Sequence, residues 1–271
     1  METPADQIPL LMENVVVRYG DNAALNGVNL ELLKGETCVI LGAAGSGKTV
    51  LLKTALGLIL PGEGSVKLFG VDTKSVQERD LVTLRSRMGI LFQEGGLFDS
   101  LNIEENVAYP LENQRSIQCP PDEVLPRVVE ALEFVELGHT LGKFPSELSG
   151  GMRRRVGIAR AIVTHPELIL YDSPTAGLDP ITANTIMALI AKERDTRHTT
   201  TALATHRYQD GHLLANYRYN ARTGRLESGN DSKTRFLVMQ EGRIAFEGSQ
   251  TELESSTDAY VSKFVTMPVR G

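Results

Sequence analysis

"TCVILGAAGSGKTVLLKTALGL" (Thr37–Leu58) begins as a continuous apolar run, turns through three glycines and ends in a helical pattern. Strand, glycine-rich loop and helix in that order form the first unit of a parallel α/β domain. Its centre, "GAAGSGKT" (Gly42–Thr49), satisfies G-x-x-x-x-G-K-[ST] in the strand-to-helix context which that phosphate-binding motif requires. With glycine at about 7% of residues, a chance match in a chain of this length is on the order of one in a hundred. Gly42, Ala43, Ala44, Gly45, Ser46 and Gly47 offer consecutive backbone N–H groups that can turn inward around phosphate oxygens. The helix that follows adds partial positive charge at its start. Lys48 is expected to reach the β and γ phosphates of a nucleotide and the Thr49 hydroxyl to ligate magnesium, with Val50 completing the contact stretch.

Outward from this unit, residues 13–32 read as short strands broken by "YGDNA" and "NG", with Val28, Leu30 and Leu32 alternating toward one face. A polar helix over 74–86 and a strand over 88–92 follow. From 94 to 160 the strand signal vanishes. Asn102 with Glu105 has the capping-box pattern, and Asp122 is placed to cap a helix whose Val124, Val128, Val129, Leu132 and Val135 share one face. An all-helical insertion is expected here. Alternation resumes with "LILYD" (168–172), a helix carrying Ile186, Leu189 and Ile190, "TTALAT" (200–205), and a closing hairpin that turns at Glu241 and Gly242. The polar stretch 216–234 reads as a solvated surface insertion.

Two more stretches carry chemistry. "ELSGGMRRRVGIARAI" (147–162) sets a serine and two glycines at a helix start, again a geometry suited to phosphate. In "LILYDSPTAGLDP" (168–180), Asp172 follows four apolar residues, and an acid there has little structural reason without a cation or hydrogen bonds.

Together these stretches resemble the ABC ATPase family, whose LSGG-x signature is matched by Leu148, Ser149, Gly150, Gly151 and Met152. The resemblance runs from Tyr19 to the closing hairpin. It implies one α/β domain over 8–267, an ABC-type P-loop NTPase. A RecA-like core with an N-terminal antiparallel β subdomain would take 8–93 and 164–267, and an inserted α-helical subdomain 94–163. By the same resemblance, Tyr19 in "VRYG" stacks on adenine and Gln93 touches magnesium in a loop that senses a membrane partner. Asp172 holds magnesium through water, and His206 meets the γ-phosphate. Asp179 belongs to a loop that crosses a dimer interface, a role compatible with a plain helix cap. The signature loop would serve the nucleotide of the opposite subunit, so a homodimer would make two composite sites. The implied cofactors are ATP and Mg2+.

"GGLFDSLNIEENVAYPL" (95–111), with the signature and Asp172 stretches, is most similar to the ATPase subunits of Mla-type, MCE-associated (Mkl-like) lipid transporters. That similarity implies a cytoplasmic subunit, peripheral on the inner face of the inner membrane. Its partners would be an integral membrane permease (MlaE-like) and an MCE-domain lipid-binding protein. Phe98, Leu101 and Ile103 are candidates for the groove that would receive a permease helix.

Composition narrows the alternatives. A net charge of -6 argues against a surface that coats nucleic acid. Cys38 and Cys119 lack metal-ligand spacing and read as reduced thiols. The first residues lack the basic, then apolar, character of a signal peptide, and no run approaches the roughly 20 apolar residues of a membrane helix.

Ser173 departs from the family pattern, which places there a glutamate that orients and polarises the attacking water. A serine hydroxyl is no useful base at neutral pH, and general-base help is worth about 10² to 10⁴ in rate. Slower hydrolysis is expected unless Glu94 or His206 substitutes. Lys48, magnesium and the Ser149 loop would still stabilise charge. Three readings stand: a transport ATPase with a slow site, an ATP-dependent dimerisation switch with little hydrolysis, and a soluble ABC protein outside transport. The single nucleotide unit and the acidic balance disfavour the third.

Overall fold

The computed structural model describes residues 7–93, 95–114 and 116–265. β1 (Leu10–Tyr19) and β2 (Asn22–Leu32) form a hairpin, and β3 (Thr37–Gly42) leads through the glycine loop into α1 (Lys48–Ala55). β4 (Glu63–Leu68) and β5 (Val71–Asp72) return to the hairpin, before α2 (Glu78–Arg85) and β6 (Met88–Leu91). Three helices follow: α3 (Ile103–Asn113), α4 (Pro121–Phe134) and α5 (Gly150–Ile162). β7 (Leu168–Asp172), α6 (Pro180–Arg197), β8 (Thr200–Thr205) and α7 (Tyr208–Asn216) restore the alternation. The chain continues through β9 (Tyr217–Asn220), β10 (Arg225–Ser228), β11 (Thr234–Gln240) and β12 (Arg243–Gly248) to the short α8 (Gln250–Glu254) and α9 (Ser262–Val265).

The main sheet has the order β12-β11-β3-β8-β7-β6. Its strands β11 to β6 are parallel, with β12 antiparallel at one edge. A second sheet, β2-β1-β4-β5, is antiparallel. Strand alternation divides the core between the two faces of the main sheet. Val39 and Leu41 join α3 to α6 on one face, while Cys38 and Ile40 join α1 and the antiparallel sheet on the other. A parallel strand covered on both faces must be apolar throughout, hence the unbroken run that ends at the glycine loop. Among the described residues no helix is long and apolar enough to cross a membrane.

Four sequence expectations need correction. "NG" does not break β2: the register slips between the Val15↔Val28 and Val16↔Asn26 pairs, and Gly27 at φ 73° absorbs the bulge. Asp122 is not the cap of α4, because Pro120 holds that position and Pro121 starts the helix. Proline there has no N–H to leave unpaired, and Asp122 sits in the first turn where the helix dipole favours it. Ile103 is fully buried within the helical layer and cannot line an open groove, whereas Phe98 is exposed with its ring 4.7 Å from that of Tyr109.

The stretch 216–234, finally, is exposed over most of 221–230 as expected, but it is not an irregular loop. It contains the β9–β10 hairpin, whose base is locked by charge. Arg218 pairs with Asp195 (2.7 Å) and Asp231 (2.6 Å), and Arg194 reaches Asp231 at 3.3 Å. Its polar composition serves these partners as much as water, which is why composition alone misreads it. The Asn102–Glu105 capping box forms as expected, with both bonds at 2.8 Å.

Candidate functional site

β3, β8 and β7 lie side by side, and their carboxyl ends deliver the glycine loop, His206 and Asp172 to one place. Open α/β sheets bind ligands at that edge. Gly47 enters α1 at φ 106°, and a Cβ there would meet the Ala24 carbonyl at 2.5 Å, so only glycine fits the turn. Lys48 is buried, and its Nζ donates to the carbonyls of Gly42 (2.8 Å) and Ala43 (2.9 Å). Burial pulls the Lys48 ammonium below its ordinary pKa, against the opposing pull of Asp172. The lysine is thus seated by the loop it serves.

Asp172 ends β7 almost fully buried. Ser173 follows in the left-handed region (φ 50°), its N–H bonded to the Ala204 carbonyl at 2.8 Å and its hydroxyl donating to Asp172 Oδ1 at 3.3 Å. A cavity of about 1070 Å³ opens here. The phosphate loop and the start of α1 form its floor, and Gln93, Ser173 and His206 face it from three other segments. Glu94, the alternative base, lies outside the described residues.

The structure also separates residues that the sequence grouped. Tyr19 is 57% exposed at the end of β1 and does not line the cavity; its cross-strand neighbour Asn22 does. Gly42, Ser46 and Asp172 stand behind the wall. None of Leu148–Met152 nor Asp179 lines it. Ser149 caps α5, accepting from Met152 N at 3.2 Å, and Asp179 caps α6, accepting from Ile181 N and Thr182 N at 3.0 Å each. The Asp179 carboxyl is held below its usual range chiefly by the Thr182 hydroxyl and then by the Thr182 backbone N–H. The two helix starts abut so closely that a Cβ on Gly151 would meet Thr182 Cγ2 at 2.4 Å.

Several working residues escape the sequence. Arg154 on α5 donates to the carbonyls of Ser173 (2.8 Å), Pro174 (2.8 Å) and Ala176 (3.1 Å), clamping the turn after β7. Arg160, on the same helix, donates to Gly95 O (3.1 Å) and Gly96 O (2.6 Å), just past Gln93. Buried Asp210 accepts from Thr175 (2.6 Å) and Thr205 (2.7 Å), tying that turn to the one carrying His206. Cavity residues Asn26, Glu241 and Phe264 come from β2, the β11–β12 turn and the C-terminal segment. The only sequence cue to the last is the aromatic pair Tyr260 and Phe264 at i,i+4.

The donor set suits a hard divalent ion. Thr49 and Gln93 line the cavity with oxygen, and a buried Asp172 carboxylate stands behind it. Among the described residues no three His, Cys, Asp or Glu side chains cluster as a metal cage. Magnesium keeps waters and is bound by one or two protein oxygens together with phosphates, a demand that Thr49, Gln93 and Asp172 suit.

A phosphate loop at the end of a parallel strand, with a lysine seated in it and a buried acid two strands away, defines a P-loop nucleotide-binding domain. The ABC transporter family pattern matches residues 25–176. The chain is 32% identical, over 94% of its length and 89% of the relative's, to the "Intermembrane phospholipid transport system ATP-binding protein MlaF" of Haemophilus influenzae. It is 36% identical over 73% of its length to the "Probable ribonucleotide transport ATP-binding protein mkl" of Mycobacterium leprae, of which it spans 57%. Among solved structures, a dimeric ATP-binding cassette bound to ADP and Pi aligns with a TM-score of 0.73 at 30% identity, covering 89% of this chain and 98% of that one. The chain belongs to the ABC transporter family, as an ATP-binding subunit.

Proposed function

We propose that this chain hydrolyses ATP, with Mg2+, to power movement of phospholipid or a related lipid across a bacterial-type envelope. The carrying observation is its likeness to the Haemophilus phospholipid-transport subunit along nearly the whole chain. The convergence of Lys48, Thr49, Gln93, Ser173 and His206 on one cavity supports the ATPase part. Two copies pair, a reading supported by the dimeric cassettes of this fold, and in the pair the Ser149 loop of each faces the phosphate loop of the other. The subunit sits at the cytoplasmic face of the inner membrane beneath a permease that is joined to an MCE-domain lipid-binding protein. α3 to α5 form a helical subdomain, and the exposed Phe98 and Tyr109 pair on it offers an apolar seat for a permease helix.

Ser173 makes the site slow. Its hydroxyl turns to Asp172, so position 173 offers the cavity a hydroxyl where a carboxylate would polarise water. The same observation favours a second reading, an ATP-dependent dimerisation switch that barely turns over. Tagged chain purified from membranes tests both. Recovery of a permease with phosphate release above that of Lys48→Ala supports the transport ATPase, and recovery with release equal to it supports the switch. Recovery of no permease rejects both membrane roles.

A further inference from the structure

Beyond β12 the chain folds back against the nucleotide site. Leu253 and Val261 are buried in the main core. Gln250 Nε2 donates to the Tyr208 hydroxyl at 2.8 Å, and Tyr208 in turn donates to Glu254. The segment is therefore pinned to the helix that follows His206. Further on, the Asp258 carboxylate accepts from the backbone N–H of Tyr260 (2.8 Å) and of Val261 (2.9 Å), fixing a turn. That turn aims Tyr260 at the phosphate loop. The Tyr260 hydroxyl donates to the Met239 carbonyl at 3.1 Å and accepts from the Ala43 N–H at 3.4 Å. Ala43 is also the residue whose carbonyl, with that of Gly42, receives the Lys48 ammonium. The Phe264 ring packs edge-on against Tyr260, centroids 5.3 Å apart, and forms part of the cavity wall.

We propose that Ser249–Val265 is a working part of the nucleotide site, with Tyr260 a positioning residue that sets Ala43, and through it Lys48, and Phe264 an apolar wall against the bound nucleoside triphosphate. One hydroxyl ties the end of β11 to the first turn of the phosphate loop. A tyrosine ring holds that tie with only two side-chain torsions, so little freedom is left in it. Without the hydroxyl, Met239 O and Ala43 N–H lose their shared partner and the lysine's seat loosens. Lys48 addresses phosphates before and during the reaction alike. Its misplacement therefore raises KM more than it lowers kcat.

The proposal rests on the ATP-binding reading, and the test separates the two. In the full chain, Tyr260→Phe is expected to raise both the Kd for a fluorescent ATP analogue and the KM for ATP about five-fold. Its kcat should stay within about two-fold, with an unchanged melting temperature. Asp258→Ala should move Kd in the same direction by a smaller factor, and amide exchange at Ala43 should quicken in both variants. Wild-type affinity and unchanged Ala43 exchange in Tyr260→Phe would overturn the proposal while leaving the ATP reading intact. A fall in kcat at constant KM would overturn it as well. A wild-type chain that binds no ATP analogue overturns the ATP reading itself, and the proposal with it.

Discussion

At the scale of single residues the chemistry turns on Ser173. Its backbone is held at φ 50° by the Ala204 carbonyl and by the Arg154 clamp on its own carbonyl, so the side chain is presented to the cavity by a rigid corner. What that corner presents is a hydroxyl bonded to Asp172, which can hold a water but cannot take its proton. Ser173→Glu puts a carboxylate on the same corner. The expected outcome is a rise in kcat for ATP of about 10²-fold, read as steady-state phosphate release in the assembled complex. An unchanged rate with ATP affinity intact would show that the missing base does not limit turnover. Lys48→Ala, in the same assay, should fall to background, because the loop then has no cation to meet the phosphates. His206 faces the same cavity, so His206→Ala asks whether an imidazole already replaces the carboxylate. If it does, the residual rate drops by about 10²-fold; if not, the rate moves little.

At the scale of elements, α5 does more than carry the signature. The buried Arg154 reaches three carbonyls of the turn after β7, and removing the guanidinium would leave the buried Pro174 carbonyl and the half-buried Ser173 and Ala176 carbonyls without that donor. Arg154→Met should lower unfolding stability by about 3 kcal/mol, measured by urea denaturation, and lysine should restore only part of it because it lacks the planar fork. α6 carries a different stress. Glu193 is buried and its carboxyl is pushed up to about 7, by desolvation first, with Arg197 and the Thr199 hydroxyl pulling the other way. The folded state then binds more protons than the unfolded state between pH 4.5 and about 7, so this contribution to stability declines as pH rises through that window. Glu193→Gln should leave stability at pH 5 nearly unchanged and raise it at pH 8 by on the order of 2 kcal/mol, read from thermal melts. Neither stress was legible in the sequence. β3, the glycine loop and α1 were, because an unbroken apolar run and a fixed motif spacing leave one local solution. The arginines of α5, by contrast, look like a plain basic run. Their partners lie in loops that only the tertiary fold brings near, as it does Asn26, Glu241 and Phe264. Tyr19, assigned by analogy, stands exposed at the end of β1 across from the cavity residue Asn22.

At the scale of the whole molecule, the phosphate loop and the Ser149 loop of one chain do not meet. The cavity is floored by the Lys48 loop, while Ser149 caps α5 without lining it. A two-fold pair would bring each Ser149 loop to the partner's cavity, giving two identical composite sites across one self-complementary surface. This arrangement has a consequence that a self-sufficient site does not share. Lys48→Ala and Ser149→Arg should each abolish ATP hydrolysis when every chain carries the change. Co-expressed in equal amounts under different tags, the two variants form mixed dimers in about half of cases, and each mixed dimer has one site with both an intact lysine and an intact serine. The other site in that dimer carries both defects. If the sites act independently, the mixture recovers about a quarter of the wild-type rate, and mixed dimers isolated by sequential tag purification recover about half. Were Ser149 to serve the lysine of its own chain, no mixed dimer would contain a whole site. Phosphate release from the purified mixed dimer would then stay at the background of either variant alone.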